Sequence, residues 1–283
     1  MKADRRGALA GLAAGICSLA RAARVAAATP PPIVFLASRL TQGGWVRGKV
    51  ISGSSLRLDG VPVPLDSQGQ FFVAFDRDAG PSALLTTSGP SGVASLPLTI
   101  APRQWQIEHI NLPLRPGAVP DAEFLRRRAD ELAQINAARM AARASAGWQQ
   151  QMAWPLIGRV SGRFGSQRIY RGMPASYHSG LDIARAAGVP FVAPADGVVV
   201  LAASQTFTLE GHLLLVDHGM GLNSAFLHCS ELEVGVGDVV RQGQFIGRVG
   251  MTGRATGPHL HWSMKWRSAK LDPLLFLDAM PGA

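Results

Sequence analysis

The sequence predicts a mainly β protein: a C-terminal antiparallel β-sheet region, preceded by a small N-terminal β-sandwich and a linking α-helix. Three observations carry that expectation. Short apolar runs alternate with turn residues along most of a chain that holds 32 Gly and 19 Pro. Charged residues make up only 17% against 47% apolar, enough for a substantial core and too few for wholesale disorder. A single stretch, residues 120–148, changes to helical spacing.

The elements follow in order. Residues 1–28 read as a signal peptide: a basic start in "MKADRR", a short apolar run in "GALAGLAAGICSLA" and small residues around Ala26 to Thr29. The apolar run is too short to span a bilayer, so no stable membrane span is expected once the signal is removed. Ile16 before Cys17 argues against lipid attachment. Export places the protein in the periplasm or cell envelope. Cys229 is then the only cysteine left, which excludes an internal disulfide. The formal charge of +9 includes five Lys/Arg and one Asp in the signal, so the remainder is mildly basic, suited to an anionic surface. Basic residues are scattered and not interleaved with aromatics, so nucleic acid is not an expected partner.

Residues 30–116 carry "WVRGKVI", "SLRLDG", "VPVPL", "GQFFVAF" and "ASLPLTIA", which predict a small antiparallel sandwich without catalytic groups. In the helical stretch Asp121 is the expected N-cap, and Leu125, Ala129, Leu132 and Ile135 share one face. An Ala-rich helix of modest apolar bulk reads as a linker packed on a neighbour rather than a membrane binder. Residues 154–277 return to β patterning and hold six of the seven histidines.

In "GPHLHW", strand alternation puts His259 and His261 on one face and Leu260 on the other. That pair alone is equally compatible with a metal site and with two surface histidines. In "YHSGLDIA", His178 and Asp182 lie four apart where a loop enters a strand, and Asp182 alone would suit a turn carboxylate. Taken together, histidines and a carboxylate form a donor set suited to Zn²⁺, with histidines to spare for proton transfer.

"HSGLDIA", "APADGVVV", "LLLVDHGMG", "FLHCSEL" and "VGDVVRQGQFIGRVGMTGRATGPHLHWSM" follow in order the pattern of the lysostaphin/LytM-type zinc endopeptidases, over a little more than four-tenths of the chain. The resemblance implies that family's antiparallel β-sheet groove and one Zn²⁺ per chain held by His178, Asp182 and His261. It implies His228 and His259 as the catalytic pair and peptidoglycan stem peptides as substrate, D,D cross-links above all. His212 stands where the family often has an asparagine near the substrate, and so is a candidate substrate contact. Cys229 is expected in the core and His218 in a structural turn. Similar enzymes can carry an upstream segment covering the groove, a role that Leu40–Gly48 would take here. Two other readings remain open: a catalytically silent relative that activates another wall hydrolase, and a lipoyl-like carrier modified at Lys265. A protein activator, if the chain has one, is unidentified.

Overall fold

A computed structural model describes residues 32–90, 92–113 and 121–282. The signal-peptide assignment lies outside the described residues. The described part is mainly β, with one α-helix, Ala122–Met140.

The N-terminal portion forms two antiparallel sheets. One holds Ile33–Arg39, Trp45–Val50 and Gln70–Ala74; the other holds Val61–Val63, Ser55–Leu58, Ser82–Gly89 and Gly92–Thr99. In Ser82–Gly89 alternate residues Ala83, Leu85 and Thr87 are buried, the period-2 pattern of a half-buried strand. Leu40–Gly48 packs through Trp45 into the core. Trp45 is buried, stacked on Phe72 at 6.1 Å and on Phe276 at 5.2 Å between ring centroids. Its indole N–H donates to the Leu275 carbonyl at 3.1 Å. One hydrophobic cluster therefore runs from Phe71 and Phe72 through Trp266 and Phe276. Aromatic pairs of this kind add roughly 0.5–1.5 kcal/mol each beyond simple burial.

Ile107–Ile110 does not join either of these sheets. It pairs in parallel with Gln167–Tyr170, which in turn pairs with Met173–Pro174. The segment thus leaves the N-terminal sheets and becomes part of the C-terminal region.

That region is dominated by an eight-stranded sheet. Its order is Val239–Val240, Gly197–Ala202, His212–Asp217, Leu222–Cys229, His259–Trp266, Leu181–Ala184 and Arg159–Gly162, with Ala269–Leu271 attached to His259–Trp266. One face carries Leu214, Val216, Phe226, Leu260, Trp262 and Met264 into the main cluster. The other face packs Leu213, Leu215 and Ala225 against Ile135 and Ala138 of the helix.

The helix starts where expected, with the Asp121 carboxylate accepting from the Phe124 N–H at 2.7 Å. Its buried stripe differs from the apolar one, however. Glu131, Ile135 and Ala138 are buried, while Leu125 and Leu132 are exposed. A buried carboxylate replaces the leucines because Glu131 has partners in the loop between Gly197–Ala202 and His212–Asp217: Thr208 donates to it from its backbone N–H at 2.6 Å and its hydroxyl at 2.7 Å.

Behind the central strands lies a buried polar chain. The Trp262 indole N–H donates to Ser224 Oγ at 3.0 Å, and Ser224 lies 2.8 Å from His218 Nε2. His218 Nδ1 faces the Asp196 carbonyl at 2.8 Å, and a carbonyl only accepts, so Nδ1 carries the proton and Nε2 accepts from Ser224. Every group is satisfied with His218 neutral. Burial pushes its pKa down to about 4, against the Asp196 carbonyl, which favours protonation. The unfolded chain, with an ordinary histidine near 6.5, then binds the proton first as pH falls. Stability should be intact above pH 6.5 and decline towards pH 4 by up to about 1.4 kcal/mol per unit. Urea unfolding of His218→Gln across that window should give a shallower slope than wild type; parallel slopes would assign the loss to other groups.

Candidate metal and catalytic site

Three adjacent strands assemble the site. In the antiparallel register Asp182 lies opposite His261 on one side, and Leu227 lies opposite His261 on the other. Cross-strand partners share a face, so the carboxylate and the imidazole meet without any loop distortion. Leu260 points into the core, as alternation requires, leaving His259 and His261 on the face that also carries the helix.

His178 approaches from the preceding loop. Its backbone is fixed to the 165–166 turn by two hydrogen bonds of 2.8 Å: the Gly165 N–H donates to the His178 carbonyl, and the His178 N–H to that of Ser166. Its Nδ1–H donates to the Arg163 carbonyl at 3.1 Å, which leaves Nε2 pointing at Asp182 Oδ2, 3.0 Å away. His261 Nδ1 is 2.8 Å from Asp182 Oδ1 and 3.2 Å from His178 Nε2. The three donor atoms lie within 4.8 Å of one another. Burial opposes the charge on Asp182, but hydrogen bonds from His178 and His261 outweigh it and hold the carboxyl far below its usual range. Burial lowers the pKa of His261, whereas at His178 the Asp182 carboxylate overcomes the same effect and raises it.

A cation fits this cluster. The donors are two imidazole nitrogens and one carboxylate, the set suited to zinc, and His178 is oriented by a backbone carbonyl on its far nitrogen, as ligating histidines are. The space is also tailored. A Cβ at Gly180 would lie 2.6 Å from His261 Nε2, and one at Gly162 would lie 2.4 Å from Asp182 Oδ2.

His228 reaches the same place by a different route. Strict alternation along Leu222–Cys229 would turn it toward the core with Phe226. Instead His228 has φ +64°, and the register slips so that Leu214 faces Phe226 while His212 faces Cys229. This bulge brings both Leu227 and His228 to the groove and returns Cys229, a free thiol, to the core. The His228 Nδ1–H donates to the Thr252 carbonyl at 2.8 Å, and the His259 Nδ1–H to the Gly257 carbonyl at 2.8 Å. Both rings therefore present Nε2 as a lone pair, and their centroids are 5.0 Å apart. Burial, reinforced by His261 and His259, pushes the pKa of His228 down to about 4, so it is neutral near pH 7.

These side chains open into a groove of about 1240 Å³, lined also by Leu209, Glu210 and Arg254 and by Ile107, Glu108 and Tyr177. His178, Asp182, His228, His259 and His261 all face it; His212 and Leu40–Gly48 are not among its lining residues. His218 sits on the core side of the sheet, and Lys265 lies half-buried within a strand opposite Asn223 and Lys270, not at a turn. Sequence reasoning did not find the carbonyls of Arg163, Thr252 and Gly257, because every residue has one. It also missed Ile107 and Glu108, whose place depends on a long-range parallel pairing.

Residues 176–273 match the model of peptidase family M23. The chain is 36% identical over 110 residues to peptidoglycan DD-endopeptidase ShyA of Vibrio cholerae, covering 38% of this chain and 24% of that protein. It is 33% identical over 133 residues to cell division protein DipM of Caulobacter vibrioides, covering 45% and 21% respectively. The match thus spans only about a fifth to a quarter of the length of these curated relatives. A crystal structure described as peptidase M23 from Pseudomonas aeruginosa superposes with TM-score 0.66 at 28% identity, covering 85% of this chain and 96% of that one.

If the glycine at 180 makes room for the cluster, Gly180→Ala should lower zinc affinity roughly 10–100-fold while the protein stays folded. Chelator competition on the two proteins measures this, and equal affinities would show that the loop yields freely.

Proposed function

With residues 176–273 a peptidase family M23 domain, we propose that the protein is an exported zinc-dependent endopeptidase that hydrolyses peptide cross-links of bacterial peptidoglycan. The observation that carries this reading is the pairing of two kinds of histidine in one open groove. His178 and His261 converge with Asp182 as a donor cluster, while His228 and His259 stand beside it with free Nε2 lone pairs. The relatives named as DD-endopeptidases, ShyA of Vibrio cholerae among them, support D,D cross-links as the substrate. Their wall substrates support the envelope as its location.

His178, Asp182 and His261 would hold the zinc. Bound there, zinc supplies Lewis acidity, acidifying water and polarising a carbonyl. The chain's own groups do the rest. The open groove admits an extended peptide beside the cluster. His228 and His259, each locked as the Nδ1–H tautomer by a backbone carbonyl, can accept a proton at Nε2 from the attacking water. Once protonated, the same atom donates to the departing amine or to oxygen charge developing in the transition state. No covalent intermediate with the protein is needed.

His178→Ala and His261→Ala should lose both zinc and cleavage. His228→Ala should keep about one zinc per chain yet cleave on the order of 10²–10⁴-fold more slowly. Metal analysis and muropeptide profiling of digested sacculi read both quantities. Full activity in a metal-free preparation, or in His261→Ala, would defeat the proposal.

A further inference from the structure

His228 holds a backbone conformation that non-glycine residues rarely adopt, and such conformations persist only where their surroundings impose them. The contacts that impose this one lead to the helix. The His228 N–H donates to the Glu210 carbonyl at 2.8 Å, and its ring is held by the Thr252 carbonyl. Thr252 adjoins the end of the same loop: its hydroxyl accepts from the N–H of His212, the first residue of the following strand, at 2.9 Å and donates to the Cys229 carbonyl at 2.9 Å, and the Arg254 N–H donates to the Leu209 carbonyl at 3.0 Å. One anchor of His228 thus lies within residues 203–211, and the other belongs to a segment bonded to that loop through Arg254.

The helix fixes that loop through its side chains. The Arg128 guanidinium grips the Glu210 carboxylate through two bonds of 2.6 and 2.7 Å, a bidentate pair with both side chains largely shielded from solvent. Arg128 also reaches Glu131 at 3.0 Å, and Glu131, buried, receives both Thr208 donors. Arg127 donates to the Thr206 carbonyl at 2.5 Å. Phe207 packs into the same small cluster as Ile135 and Ala138. A buried acid is costly unless it is paired, and contacts to Arg127, Arg128 and Thr208 pair Glu131.

We propose that Arg128 and Glu131 are positioning residues for His228: the helix is a structural member of the active site, setting the loop whose Glu210 carbonyl and Thr252 contact hold the catalytic imidazole. This rests on the endopeptidase reading for its kinetic consequence but not for its structural one.

The experiment uses the full chain, with Arg128→Ala, Glu131→Gln, Arg128→Lys and, as a control, the exposed Arg126→Ala. Four readouts are taken: zinc content, thermal midpoint, kcat and KM on a cross-linked muropeptide, and the nitrogen-15 NMR signal of the hydrogen-bonded His228 Nδ1–H. Arg128→Ala and Glu131→Gln should keep their zinc and lower kcat about 10-fold or more with KM little changed. They should also shift or broaden the His228 Nδ1–H signal. Arg128→Lys should recover part of both effects, and Arg126→Ala should match wild type. Should Arg128→Ala fail to fold, the Glu131→Gln and Arg128→Lys pair still decides the matter. An unchanged His228 signal in Glu131→Gln overturns the proposal, as does a loss of kcat that only follows loss of zinc or of thermal stability. Wild-type protein inactive on muropeptides, with the His228 signal still perturbed in the variants, would defeat the endopeptidase reading and leave the positioning intact.

Discussion

Asp182 must stay ionised where most of its solvent has been taken away, and the two imidazoles beside it make that possible. Its side chain keeps only 20% of its exposure, so an isolated carboxylate there would take up a proton. Hydrogen bonds to His178 and His261 reverse that tendency. The rest of the site follows from satisfying this one group. The His259–Trp266 strand has to lie in register with Leu181–Ala184, and the His178 loop has to fold back over Gly180. The Arg163 carbonyl has to engage His178 Nδ1 so that Nε2 is the ring nitrogen that meets the cluster.

The histidines outside the cluster face the opposite requirement. Their Nε2 atoms have to be free to exchange a proton, so each ring is given a carbonyl for Nδ1 and, among the described residues, no hydrogen-bond partner for Nε2. For His228 this comes at the expense of about 1–3 kcal/mol of backbone strain. The strain serves a geometric end, because a regular strand at that position would have put the ring on the core side of the sheet. His218 shows the alternative fate of a histidine in this fold. Fully enclosed and bonded at both nitrogens, it organises Ser224 and Trp262 behind the strands and has no access to the groove.

Much of this could be read from residue order, and the exceptions have physical causes. The mainly β class followed from turn spacing, and the alternation of His259, Leu260 and His261 followed from strand geometry. His178 and Asp182 were legible as a loop-to-strand pair. The path of His228 was not, since a left-handed histidine leaves no signal in composition. The buried face of the helix was also hidden: apolar periodicity selects Leu125 and Leu132, but Glu131 is drawn inward by Thr208, a partner far along the chain. Similarly, Ile107–Ile110 looks like the end of the N-terminal sheets until its parallel partner is known.

That last segment changes how the N-terminal portion relates to the groove. Trp45 and Phe72 share a core with Trp266 and Phe276, and Arg103 pairs at 2.7 Å with the nearly inaccessible Asp272. Arg77 stacks on both Trp105 and Tyr177, one residue before His178, while Lys270 lies over the same Tyr177 ring. Cation–π contacts that are partly shielded from water hold position more firmly than exposed ion pairs do. The loop carrying His178 is thus clamped from the N-terminal side, as the bulge at His228 is clamped from the helix. The donor cluster and the His228 bulge are each braced by a residue or element that precedes the segment matching the family M23 model, Arg77 for the first and the helix for the second. A groove built in this way owes its geometry to the whole described chain, because the strands alone fix only Asp182, His259 and His261.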